Sequence, residues 1–405
     1  MRRTARGGLE YHLLVVVTLG LVAFGLVMVY SASSARATLA ADDPAYYLKR
    51  QGAYALLGVV ALVFLSRTDF RRLRYLVPPL LLASFALLVA VLVLGTPVNG
   101  ARRWLTLGPA TLQPSELAKL ALALWIAAYL SRSPAPQSLR ELLRPIGVVF
   151  GAALALILVE PDLGTAIAIV VMLAAVLVVA GTRFSTLAGA GAIGVSLIAA
   201  AIWLEPYRRE RILSFLDPWQ DPQGAGFQSV QAMLALGSGG FFGVGLGESV
   251  QKVYYLPEAS TDMIFAIIGE ELGLFGAFAV LAAFVVFGYA GFNIALACRD
   301  RFGKLLAAGL TALICGQAAV NVSAVMGLAP LTGIPLPFVS YGGSSLVVML
   351  ASVGILLNIA VNHAAESTAS VPDRRRRDGR SRPARARGRR VASESRRVRH
   401  ARRSA

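Results

Sequence analysis

The chain has 405 residues, 56% of them hydrophobic, and a mean hydropathy of +0.65. That composition excludes a soluble globule, and apolar runs of helical rather than ten-residue length exclude a transmembrane barrel, which leaves an all-α polytopic membrane protein. The formal charge of +17 is concentrated at one end, with fifteen arginines between Arg374 and Arg403 in a Pro/Ser/Ala/Gly background. Such a stretch predicts a disordered tail over 363–405, and beside a membrane its partner is anionic lipid, with no nucleic acid implied.

Residues 1–11 read as a short cytoplasmic N-terminus that leads directly into a first span long enough to stay as an anchor, so no cleavable signal is expected. Ten transmembrane helices follow near 12–31, 50–66, 75–95, 114–131, 145–160, 164–181, 185–204, 262–290, 304–328 and 341–362, making 12–362 one transmembrane domain. Only Pro161, Asp162 and Leu163 separate the fifth and sixth spans, a short reversal between antiparallel helices. Basic residues test the orientation, since they collect on the cytoplasmic side. With both termini cytoplasmic, the inner segments hold Arg67, Arg71, Arg72, Arg74, Arg132, Arg140, Arg144, Arg183, Arg299, Arg301 and Lys304, and the outer loops hold fewer. One large extracytoplasmic loop, 205–260, lies between spans seven and eight, and loops of that length are usually functional. Its glycine-rich Gly237–Gly247 follows no strand, which argues against a nucleotide fingerprint and leaves a lid or a backbone surface that approaches a ligand. Two cysteines and three histidines are scattered, so neither a disulfide framework nor a metal site is indicated.

Under this topology the unusual polar residues fall at the outer face. Asp262 stands where a polar loop, with Glu258, Ser260 and Thr261, turns into the apolar eighth span; a helix N-terminus favours its ionised form and partial burial opposes it, giving either a base or a helix cap. Glu116 and Lys119, three apart at the start of span four, read as a polar site or as an ion pair fixing helix packing. Asp162 reads as a site carboxylate or as a cap on span six. Arg102 and Arg103 precede span four, and Lys252 opens the stretch leading to Asp262. Ser340, Tyr341, Gly342 and Gly343 enter span ten, where small residues also serve close helix packing. Structural roles alone would scatter these residues over both faces; sharing one face, they predict an outward-opening polar cavity. Glu270 and Glu271 are the exception, about 12 Å below Asp262 at helical rise, where a bare carboxylate is costly.

The stretches N-G-A-R-R-W-L, Q-P-S-E-L-A-K, E-P-D-L-G-T, F-L-D-P-W, L-P-E-A-S-T-D-M-I-F-A-I-I-G-E-E-L-G and G-I-P-L-P-F-V-S-Y-G-G-S-S, in this order, resemble the SEDS family (shape, elongation, division and sporulation) from about residue 12 to 362. D-P-W and Q-K-V-Y-Y-L-P-E lean toward its division branch. Ser260 departs from the family, which commonly has His there, and Met263 replaces a usual Phe. The resemblance implies a peptidoglycan glycosyltransferase in the bacterial cytoplasmic membrane that polymerises lipid II at the outer face, at the division septum, beside a class B penicillin-binding protein and other divisome membrane proteins. Asp262 is then the expected base, with Arg102, Arg103 and Lys252 as cations for the departing diphosphate. No cofactor is certain; a divalent cation, Mg or Mn, is compatible with carboxylates and diphosphate without being required. A lipid II flippase, for which Glu270 and Glu271 would be midplane groups, and a noncatalytic scaffold are the alternatives.

Overall fold

The computed structural model describes residues 8–41, 43–98, 101–108, 110–204, 214–253 and 255–369. Its helices are α1 (Leu9–Ala41), α2 (Tyr46–Arg67), α3 (Leu73–Leu94), α4 (Pro114–Arg132), α5 (Leu139–Val159, with a π turn at Leu143–Gly147), α6 (Leu163–Ala180), α7 (Phe184–Leu204), α8 (Phe227–Ser238), α9 (Ile264–Ala297), α10 (Arg301–Val325) and α11 (Gly343–Ala369). Eight of the described helices are long and apolar enough to cross a membrane. The other two expected spans are also helical: α4, diluted by Glu116 and Lys119, and α7, whose apolar stretch is Phe184–Ser196. The expected tail beyond Ala369 lies outside the described residues.

The most buried helices are α10 and α11, with 78% and 83% of their apolar windows inside the protein. Around them α10 packs on α4, α6 and α9, and α11 packs on α2, while α1 covers α9 and α3 covers α4. The peripheral helices keep large apolar side chains outward, as a bundle solvated by hydrocarbon requires.

The two ends of the bundle differ in chemistry. At one end Phe70 stacks on Phe302 at 6.2 Å, Arg74 bonds Asp300 at 2.9 Å, and Asn358 donates to Ser66 O and accepts from Phe70 N. Asp300 also caps α10 through Gly303 N–H. The sequence motifs gather at the opposite end. There a small antiparallel meander, β1 (Thr96–Val98), β2 (Ala101–Leu107) and β3 (Ala110–Leu112), joins α3 to α4 where only a loop was expected. Pro97 pairs with Arg102, and Thr106 with Thr111.

The helix after Asp262 is broken. Gly273 has φ 65° and ψ −161° inside α9, which interrupts the helical ladder, and the chain 240–245 lies alongside to take up the freed groups. Val244 and Gly245 N–H donate to the carbonyls of Glu270 and Glu271, and Leu274 and Phe275 N–H donate to those of Gly240 and Phe241. Glycine is needed for this approach: a Cβ on Gly243 would stand 2.1 Å from Glu271 O.

That segment also answers the question posed by Glu270 and Glu271. Glu270 accepts from Ser249 Oγ and from Val250 N–H at 2.9 Å, and Glu271 pairs with Lys252 at 2.7 Å and accepts from Ser31 Oγ at 2.6 Å. Neither carboxylate is bare.

Candidate active site

Asp262 comes two residues before α9, whose N-cap position is Met263, a residue with no side chain able to cap. Its Oδ1 lies 3.3 Å from Thr261 Oγ1, and Thr261 in turn bonds the Glu258 carboxylate at 3.0 Å. The segment is held from behind: Asn321 on α10 donates to the main-chain carbonyls of Asp262 and Ile334, each at 2.8 Å. Tyr341 N–H donates to Ser260 O at 2.8 Å, fastening the approach to α11 onto the approach to α9.

Arg103 reaches the same place from β2. Neighbouring residues on a strand point to opposite faces, and this separates the two arginines. Arg102 is exposed and donates to Val93 O at 3.3 Å, whereas Arg103 turns inward, its Nε donating to Glu160 O at 2.9 Å and its Nη2 to Pro161 O. A side-chain carbon built on Gly333 would stand 3.8 Å from Arg103 Nη1 and 3.9 Å from Asp262 Oδ2. One point is thus bordered by a guanidinium and a carboxylate, and it is open because Gly333, at φ 70°, has no side chain.

The remaining motif residues are bonded or packed within the protein. Asp162 Oδ1 caps α6 through Thr165 N–H at 3.0 Å, while Oδ2 accepts from Gln113 Nε2 at 3.2 Å and faces Ser115 Oγ at 3.5 Å. Lys119, fully buried, donates to Glu116 at 2.8 Å and to Gln317 at 2.6 Å, and Gln317 donates onward to Pro335 O at 3.0 Å. Ser340 Oγ accepts from Leu336 N–H at 2.7 Å; Gln51 donates to Ser340 O and accepts from Gly342 N–H. A Cβ on Gly343 would lie 2.5 Å from the Tyr54 ring, so this glycine permits helix contact. Asp162, Glu116, Lys119, Ser340, Gly342 and Gly343 are therefore engaged within the protein by these contacts, and Tyr341 packs edge-on against Tyr47 at 5.1 Å.

Lys252 does not join that pair. Its three donor positions are taken by Glu271, Ser31 Oγ at 3.2 Å and Gly247 O at 2.7 Å. Sequence reasoning missed Gly333, Gln51, Asn321 and Gln317. The last two were findable, as amides four apart on one face of an apolar helix are costly unless they have work. Glu160 is buried, neither of its carboxylate oxygens has a hydrogen-bond partner among the described residues, and burial pushes its carboxyl up to about 8, with the Asp162 carboxylate adding to the shift and Arg103 opposing it.

The profile of the cell cycle protein family of FtsW, RodA and SpoVE matches residues 11–365. The chain belongs to this family. It is 43% identical to the stage V sporulation protein E of Bacillus subtilis, covering 86% of this chain and 96% of that protein. It is also 43% identical to a probable peptidoglycan glycosyltransferase FtsW of Trichlorobacter lovleyi, over 87% of this chain and 93% of the relative. Among solved structures, a chain of a peptidoglycan synthase complex described as coordinating polymerization and crosslinking superposes with a TM-score of 0.72 at 34% identity, over 86% of this chain and 97% of that one. The rod shape determining protein RodA of Thermus thermophilus superposes with a TM-score of 0.61 at 30% identity, over 86% and 95%. Family and fold thus agree, and the match ends before the arginine-rich tail.

Proposed function

We propose that the chain is a peptidoglycan glycosyltransferase that polymerises lipid II at the outer face of the bacterial cytoplasmic membrane, during division and at the septum. The observation that carries this reading is that Asp262 Oδ2 and Arg103 Nη1 both border the point left open by Gly333. Transfer joins an acceptor sugar hydroxyl oxygen to the anomeric carbon of the donor as the bond to the diphosphate breaks. Asp262 takes the hydroxyl proton, and Arg103 stabilises the charge that develops on the departing diphosphate. Arg103 suits the task because its other nitrogens are fixed by main-chain carbonyls, which leaves Nη1 in place before substrate arrives.

Relatives named as peptidoglycan glycosyltransferases support the activity, and the likeness to a chain of a synthase complex supports a class B penicillin-binding protein as partner, with other divisome membrane proteins beside it. The flippase reading loses its main sequence support, because Glu270 and Glu271 are engaged with Ser249, Ser31 and Lys252. Among the described residues no group of three or more His, Cys, Asp or Glu side chains is set to hold a metal ion. Mg or Mn at this site would be shared between Asp262 and the oxygens of the diphosphate.

The test is the purified protein with labelled lipid II, with and without the penicillin-binding partner. Asp262→Asn should keep its fold and its lipid II binding while polymerisation falls by about 10²–10⁴, the usual worth of a general base. Polymerisation at the parent rate would move the base elsewhere, to Glu258 or Asp162.

A further inference from the structure

We propose that the segment from Phe241 to Gly247 is a re-entrant wedge seated in the hydrocarbon of the outer leaflet, so that part of the long loop between α7 and α9 lies within the membrane.

Three independent observations lead there. The first is charge. No Asp, Glu, Lys or Arg occurs between Asp221 and Glu248, an interval that includes α8 and the glycine-rich run. A loop of that length solvated by water would carry charges, whereas a segment in hydrocarbon cannot.

The second is exposure. Phe241 and Phe242 are 74% and 88% exposed, and Val244, Leu246 and Val250 project outward with them. Phe242 continues the outward apolar face of α9 formed by Phe275, Phe278 and Val285. Between Phe242, Phe275 and Leu272 on one side and Leu21 and Phe24 of α1 on the other runs an apolar cleft of about 390 Å³. Placing such a phenylalanine in hydrocarbon removes its apolar surface from water, which is favourable.

The third is the main chain. Non-helical backbone survives at membrane depth only where its polar groups are paired within the protein. Here the pairing is supplied by the break in α9: Val244 and Gly245 donate to Glu270 and Glu271, and Gly240 and Gly239 accept from Leu274 and Gly243. Lys252 and Ser249 close the arrangement by neutralising or bonding the two carboxylates. An exposed apolar loop waiting for a soluble protein has no need to pair these groups internally, since water would serve its backbone.

The experiment places a nitroxide at Phe242→Cys in a Cys298→Ser/Cys315→Ser background and reconstitutes the full chain, without partners, in phosphatidylethanolamine/phosphatidylglycerol vesicles. Gln223→Cys, exposed in the same loop, and Val285→Cys, on the outward face of α9, serve as references. Collision with oxygen and with a water-soluble nickel chelate should give Phe242 the profile of Val285. A profile like that of Gln223 would overturn the wedge and assign the surface to a protein partner. In a second variant free of the label, Phe242→Trp should show emission quenched by bromine-labelled acyl chains beyond that of the parent protein. No added quenching counts against the proposal in the same way.

Discussion

At Gly333 a single methyl group separates two effects. Gly333→Ala brings a carbon between Arg103 Nη1 and Asp262 Oδ2 and also forces φ 70° on a residue with a side chain, which costs about 1–2 kcal/mol. Gly108→Ala, at φ 61° with open space around it, carries the backbone strain alone. Both variants should melt lower, and only Gly333→Ala should lose polymerisation; equal loss in the two would reduce Gly333 to a turn residue. Glu160 gives a pH signature. Its carboxyl is raised from 4.5 to about 8, so the folded state keeps a proton that the unfolded state releases. The stability from this difference is fully present below about pH 4.5 and is lost as pH rises through about 8. Melting temperature should therefore fall between about pH 6 and about pH 9, and Glu160→Gln should flatten that fall. An unchanged fall in the variant would put the titration elsewhere. At this scale the sequence was informative about Asp262, a carboxylate at a loop-to-span boundary, and silent about Gly333, because a glycine's contribution is the space it leaves.

Among the elements, β2 and α9 show what periodicity cannot reveal. Three short strands in a Gly/Pro-containing link gave no alternating apolar pattern, so Arg102 and Arg103 looked equivalent until the strand turned them apart. Arg103→Ala should cost polymerisation heavily while Arg102→Ala leaves it near the parent rate, measured side by side with the same lipid II. The break at Gly273 was hidden for a different reason: apart from Glu270, Glu271 and Asn293 the run from Ile264 to Ala297 is apolar, and an apolar run carries no mark of where its ladder fails. What was legible was the anomaly, two adjacent carboxylates in a span, and their partners came from the preceding loop, at Ser249, Val250 and Lys252, and from Ser31 of α1. Lys252→Met should therefore lower stability by about 3–5 kcal/mol by leaving Glu271 buried and unpaired. Adding Glu271→Leu should recover much of that loss in thermal unfolding of the purified protein. If the double variant is no better than the single one, the pair does not act as a unit.

For the whole molecule, long apolar runs and their separators were enough to locate the eight described helices that are long and apolar enough to cross a membrane, since hydrophobic thickness sets helix length directly. The gathering of motifs at one end was also legible, through topology rather than contacts. Not legible was which residues meet the reacting point and which brace it, because Asp162, Glu116 and Lys119 differ from Asp262 only in their partners. Orientation can be tested with a membrane-impermeant thiol reagent. Gln223→Cys should label in intact cells, and Ser381→Cys only after permeabilisation; labelling of both from the same side would overturn the topology. One last consequence comes from how Arg103 is held. Its tethers are neutral carbonyls, and it forms no ion pair among the described residues, so its guanidinium is held in place by groups that carry no charge. A lipid with an anionic head group searches for this protein by diffusing in two dimensions, and it senses that charge over a range set by dissolved ions, about 10 Å at 0.1 M salt. Loading of the empty protein should accordingly slow as salt is raised, while turnover from a preloaded complex stays flat.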